Sequence, residues 1–137
     1  MEWLAKHDYL GSEFDFIASD ATGNVAYFSS AGFGPIPRQA AEAGERMYDL
    51  CEEVEELAKV SQAEELSSDS NTGEWVSAAE RGFFAYDWCY ERARYELVAK
   101  PRAPIRVVDL GTHQSLREFV GQCRMDIEFK SAAVVEV

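Results

Sequence analysis

Histidine is too scarce here for most hydrolytic metal sites, which draw several ligands from His and Cys, because the 137-residue chain has only His7 and His113. His7 and Asp8 form an adjacent pair like the core of a metal phosphohydrolase motif, but the further histidines of such a motif are missing. Cysteine is equally sparse. Cys51, Cys89 and Cys123 are odd in number and far apart, which excludes a disulfide framework and any CxxC knuckle and points to reduced, packed thiols. No apolar run approaches the roughly 20 residues that span a bilayer, and MEWLAKHDYL has neither the apolar centre nor the cleavage pattern of a signal peptide. A cytoplasmic chain is expected, with no cofactor.

Positive charge is the other shortage: 13 Lys and Arg stand against 25 Asp and Glu, a formal net charge of −12. The imbalance is local. Residues 1–80 carry 17 acids and 4 bases, whereas residues 81–137 carry 8 acids and 9 bases. Such a field repels phosphate backbones and anionic lipid, so neither nucleic acid nor a membrane surface is an expected partner, while a cationic protein is.

What is present is globular in character: 47% apolar residues and 12% aromatics, enough for one domain over residues 1–137 with its own core. EFDFIASDATGNVAYFSS, from Glu13, alternates as two short strands around DATGN, where Asp20 can bond its own backbone and Gly23 can take positive φ. AGFGPIP (Ala31 to Pro37) stops the sheet, and a helix can start at Pro37. Ala40, Ala43, Met47, Leu50, Val54 and Leu57 then form one apolar stripe, which predicts about five turns of continuous helix. Ser61 to Gly73 reads as a loop, Glu74 to Arg81 as a short helix ending at Gly82, and GFFAYDW with RYELVAK as a second hairpin. IRVV (Ile105 to Val108) is expected as a strand, Thr112 as the cap of a helix over His113 to Cys123, and the tail DIEFKSAAVVEV as a final strand. The expected class is α+β: a largely antiparallel sheet of two hairpins and further short strands, with one long acidic helix and one or two shorter ones packed on it.

No catalytic set stands out. AGFGPIP lacks the lysine and hydroxyl of a phosphate-binding loop. Asp15 and Asp20 could be posed as general acid and base, but turn chemistry accounts for Asp20. Cys89 with His113 could pair as nucleophile and base in a small enzyme or ligand-binding domain, although Cys89 lies between Trp88 and Tyr90 with no small-residue turn to expose it. Phe83, Phe84, Tyr86, Trp88, Tyr90 and Tyr95 are the densest aromatic cluster; alternation puts about half of them in the core, and the others would suit an interface.

DLCEEVEELAKVSQAEEL, Asp49 to Leu66, holds seven carboxylates and one lysine. Its glutamates crowd the C-terminal half of the expected helix, where the macrodipole disfavours them, and Asp49/Glu53 and Glu52/Glu56 set like charges at i,i+4. The pattern does not optimise helix stability; it serves solvation or a basic partner. Asp49, Glu52, Glu53, Glu56, Glu64 and Glu65 are the candidate partner-binding residues.

DFIASDATGNVAYFSSAGFGPIP, with GFFAYDW and YELVAKPRAPI, resembles small bacterial immunity proteins encoded beside polymorphic or type VI secreted toxins. The likeness lies in aromatic, Gly and Pro positions across the two hairpins. It implies a non-enzymatic cytoplasmic protein that binds a cognate toxin, such as a nuclease with a basic substrate groove, and occludes its active site.

Overall fold

The computed structural model describes residues 1–5, 13–67 and 73–137. In chain order these form β1 (Trp3–Leu4), β2 (Asp15–Ser19), β3 (Val25–Ser29), β4 (Ile36–Pro37), α1 (Arg38–Ala43), α2 (Arg46–Glu56), β5 (Ala63–Glu65), α3 (Gly73–Glu80), β6 (Phe84–Cys89), β7 (Arg94–Pro101), a 3-10 turn (Val107–Leu110), α4 (Gln114–Gln122) and β8 (Val134–Val135). The class is α+β. The main sheet runs β2-β3-β6-β7-β5, with β8 on β7, and a two-stranded β1-β4 ribbon stands beside it. Both expected hairpins form, β2 against β3 and β6 against β7. They join through a parallel β3-β6 pair, so the sheet is mixed. The long path between β3 and β6, which carries α1, α2, β5 and α3, makes the parallel pairing possible.

Both faces of the central strands are covered, which is why β2 and β3 are almost wholly buried. One face is aromatic. Phe16 stacks on Phe28 at 4.8 Å and Phe28 on Tyr86 at 4.9 Å, with Tyr95 and Phe129 meeting Phe28 edge-on. Trp3 of β1 closes this layer against Phe16 and Tyr95. Tyr95 donates a 2.8 Å hydrogen bond to the Pro35 carbonyl, and a Cβ on Gly34 would lie 2.7 Å from the Tyr95 hydroxyl, so only glycine lets the chain approach there. The opposite face is built from smaller residues, Ala85 and Ala99, on which Trp75 and Ala79 of α3 pack.

Of the stripe of the expected long helix, Ala40, Met47, Leu50 and Val54 are buried and Ala43 and Leu57 half-buried, but the helix itself is broken. Gly44 takes φ +57, ψ −130; its N–H closes α1 on the Ala40 and Ala41 carbonyls, and α2 starts afresh at Arg46. A glycine in the run AEAGERM makes that turn at low steric cost, and periodicity alone does not register it.

Four further expectations are corrected. Ser61 to Gly73 is not wholly loop: Ala63–Glu65 pairs with β7 and Gly73 opens α3, while residues 68–72 lie outside the described residues. IRVV is no strand. The Arg106 N–H donates to Asp109 Oδ2 at 2.8 Å, which caps a 3-10 turn over Val107–Leu110 and leaves only a bridge from Arg106 to Asn24. In the tail only Val134–Val135 is strand, and His113, not Thr112, occupies the position before α4.

The tail is diverted by the first hairpin turn. Asp20 is 1% exposed; its Oδ1 accepts from the N–H groups of Thr22 and Asn24 and the Thr22 hydroxyl, and its Oδ2 accepts from Phe129 N–H at 2.7 Å. Ser19 N–H donates to Cys123 O, Ala21 N–H to Ile127 O and Val107 N–H to Gly23 O, each within 2.9 Å, and Ser19 Oγ donates to Val120 O. Replacing Asp20 with Ala strands the buried N–H groups of Asn24 and Phe129. D20A should therefore lose about 3 kcal/mol of unfolding free energy in urea at neutral pH, and a loss below about 1 kcal/mol would show that the carboxylate is not the tie it looks to be.

Candidate functional site

Asp15 and Ile17 share the face of β2 that Tyr27 and Ser29 share on β3, as the register Asp15↔Ser29 and Ile17↔Tyr27 requires. The Tyr27 hydroxyl donates to Asp15 Oδ2 at 2.8 Å. Over this floor lie two helix flanks. α2 buries Met47, Leu50 and Val54, and the neighbouring stripe at helical spacing, Tyr48, Cys51, Glu52 and Glu55, looks into a cleft of about 650 Å³. α3 buries Trp75, Ala78 and Ala79 and turns Glu74 and Ser77 to the same cleft. Ser77 Oγ donates to Glu55 Oε2 at 2.7 Å, linking the two helices across it. A second hollow of about 460 Å³ shares Glu13, Asp15, Gly73 and Glu74 with the first and extends to Ser29, Ala31, Trp75 and Asp87. Trp75 Nε1 donates to Ser29 Oγ at 3.2 Å and fixes the α3 side of this hollow.

The two hollows make one trough lined by six carboxylates: Glu13, Asp15, Glu52, Glu55, Glu74 and Asp87. Among the described residues that line it there is no Lys or Arg. Tyr48, 46% exposed, adds an aromatic face, its ring edge-on to Phe14 at 5.6 Å.

Burial pushes the Asp15 carboxyl up to about 6; the Tyr27 hydrogen bond opposes this, and the negative charges of Glu74 and Glu13 add to it. Burial also raises Tyr27, and it pushes the Cys51 thiol up to about 12, helped by the charge of Asp15, so Cys51 is not a thiolate nucleophile at neutral pH. Among the described residues no three His, Cys, Asp or Glu side chains are placed to hold a metal ion. The trough offers separate anionic points along its length and one carboxyl, Asp15, able to release a proton near neutral pH.

The sequence-derived candidates are dispersed over the surface. Of the six, Glu52 alone lines the trough. Glu53 turns toward α4, with Oε2 3.4 Å from His113 Nδ1, and Asp49 and Glu56 lie exposed on α2 outside the trough lining. Glu64 and Glu65 are on β5, which pairs with β7 at the far end of the sheet from β2, and Glu64 pairs with Lys100 at 3.9 Å. Cys89 and His113 do not meet in a described cleft: the Cys89 thiol faces Glu91 at 3.5 Å, and His113 faces Glu53. Of the aromatic cluster, Phe83, Phe84, Tyr86 and Tyr95 are core, while Tyr90 is 70% exposed and packs edge-on to Phe33 at 5.3 Å. The His7–Asp8 pair lies outside the described residues. Glu13, Glu55, Glu74 and Asp87 were missed, and Asp15 was weighed only as an acid–base partner of Asp20; the available signal was a charged residue at an inward position of an alternating strand, Asp15 two before Ile17.

Asp15 has a pH signature. Its folded value lies above the ordinary 3.8, so the folded chain holds this proton more tightly than the unfolded chain; the stability linked to it is complete below about pH 4 and is lost as pH rises through about 6. The groups facing it among the described residues are Glu13, Tyr27, Cys51, Glu52, Glu55 and Glu74. Asp15→Asn keeps the shape without the charge. Its unfolding free energy relative to wild type should improve by roughly 3 kcal/mol between about pH 4 and pH 7.5, read by chemical denaturation; a difference that does not change with pH would contradict the assignment.

Comparison of the chain with protein-family models, with curated proteins and with solved structures returned no match.

Proposed function

We propose that this chain is a non-enzymatic binding protein of the immunity type, which captures a basic secreted toxin domain in the trough between α2 and α3 and blocks the surface that domain uses on its substrate. The observation that carries this reading is the trough itself, concave and lined by six carboxylates with no Lys or Arg among its described lining residues. A row of separated anions of this kind steers and holds several Lys or Arg side chains of one partner, and Tyr48 gives an amphipathic anchor beside them. A nuclease domain with a phosphate-binding groove has that chemistry. The thiol of Cys51, held protonated by burial, gives the trough no nucleophile, which favours binding over catalysis.

Co-expression with the product of the neighbouring gene supplies the test: a stable complex and survival of cells making that product are expected. Absence of both would end the reading. Within the complex, E52K/E55K should slow association about tenfold or more at low salt, measured by stopped flow or surface plasmon resonance. The charge-matched pair E64K/E65K on β5 should leave the rate nearly unchanged; if the β5 pair slows association and the α2 pair does not, the interface lies on β5.

A further inference from the structure

Cations in this acidic chain are mostly committed. Arg38 pairs with Glu2, Lys59 with Glu80, and Arg92 and Arg94 with Glu96. Arg81, Arg106, Arg117 and Arg124 each donate to a backbone carbonyl. Among the described residues, Arg46, Arg102 and Lys130 make no side-chain hydrogen bond or ion pair, and the last two line one groove of about 660 Å³ together with Lys100. One carboxylate, Glu64, answers these three cations, through a 3.9 Å contact to Lys100 in which both side chains are more than 40% exposed. An exposed pair of that kind contributes little. Phe84, Pro101 and Pro104 give the groove an apolar floor.

The walls are held from behind. Arg102 N–H donates to Gln62 O at 3.0 Å and Ala103 N–H to Ser61 Oγ at 2.8 Å, which fixes the chain after β7. Phe129, fully buried against Phe84, and its N–H bond to Asp20 fix the opposite wall one residue before Lys130. A smaller hollow that shares Lys130 continues to Arg106, Thr22 and Asn24 and carries one carboxylate, Glu128. The fold therefore sets three cations around one groove whose lining holds a single carboxylate, an arrangement that favours an anion.

We propose that this groove binds a small phosphate-bearing molecule of nucleotide size, its phosphates set against Lys100, Arg102 and Lys130 and its apolar body on the proline floor. The volume is within the range of ligand sites, and the guanidinium of Arg102 matches a phosphate in geometry. Size decides between an extended polyanion and a compact one. A nucleic acid duplex or an anionic bilayer would face the whole field of a chain with net charge −12. A ligand that fits inside the groove feels mainly the cations within a screening length of about 8 Å.

The probe is ADP, titrated into the isotope-labelled full chain at about 0.15 M salt and followed by amide chemical shifts. Saturable shifts are expected at residues 62–64, 84, 100, 102, 103 and 128–130, with half-saturation near or below about 1 mM. R102A/K130A, two exposed positions, should weaken binding about tenfold or more, whereas R46A, a cation placed elsewhere, should not weaken it. Adenosine, which lacks phosphate, should not saturate these shifts. No saturable response to ADP, equal weakening by R46A, or equal binding of adenosine would each overturn the proposal.

Discussion

The Asp20 carboxylate ties the first hairpin turn to the C-terminal segment through the Phe129 N–H. It is buried and is satisfied by four hydrogen bonds, three within its own turn and one from the Phe129 N–H. A buried carboxylate is tolerated only when its oxygens are answered in this way. The local three shape the hairpin turn; the fourth brings in a residue 109 positions away. Once Phe129 is held there its ring completes the aromatic layer with Phe28, Phe84 and Tyr86. Neighbouring backbone bonds from Ser19, Ala21 and Gly23 fasten the end of α4 and the 3-10 turn to the same corner. Local turn chemistry thus becomes the anchor of the tertiary fold.

The two faces of the sheet have different work because of that layer. Stacked and edge-on aromatics supply burial on one face, and each such pair adds about 0.5 to 1.5 kcal/mol beyond its area. The other face buries Ile17 and Tyr27 and beside them carries Asp15, Ser29, Ala85, Asp87 and Ala99, which are small or polar. α2 and α3 reach this face through Met47, Leu50, Val54, Trp75 and Ala79 and leave the trough between their flanks. Carboxylates accumulate where apolar burial is least needed.

Local patterns in the chain were enough to read the local elements. DATGN between two alternating runs specifies the first hairpin, and the apolar spacing of α2 and the end of α3 at Gly82 came through because their causes lie within a few residues. DIEFKSAAVVEV looks like a strand and mostly is not one, because Phe129 N–H and Ile127 O are taken by Asp20 and Ala21, partners that no local pattern reveals. The same limit applies to the site. Counting carboxylates finds α2, the densest run, and so Glu52; the trough takes Glu13 and Asp15 from the start of β2, Glu74 from α3 and Asp87 from β6, which only the register of the sheet brings together.

Charge is separated by face as well as along the chain. Phe84 and Ala85 are consecutive in β6 and point to opposite sides of the sheet: Phe84 meets Phe129 and lines the groove of Lys100, Arg102 and Lys130, while Ala85 packs beneath α3 on the side of the trough. The molecule therefore has an acidic concavity on one face and a basic one on the other. Its net charge sets the long-range field, which is screened over about 8 Å at physiological salt; inside each hollow the local side chains dominate. On the two proposals above, a cationic protein would be guided by the long-range field toward the trough, whereas a small anion would have to pass through that field and would be held only within the groove. Occupying one hollow leaves the other open, because the sheet lies between them.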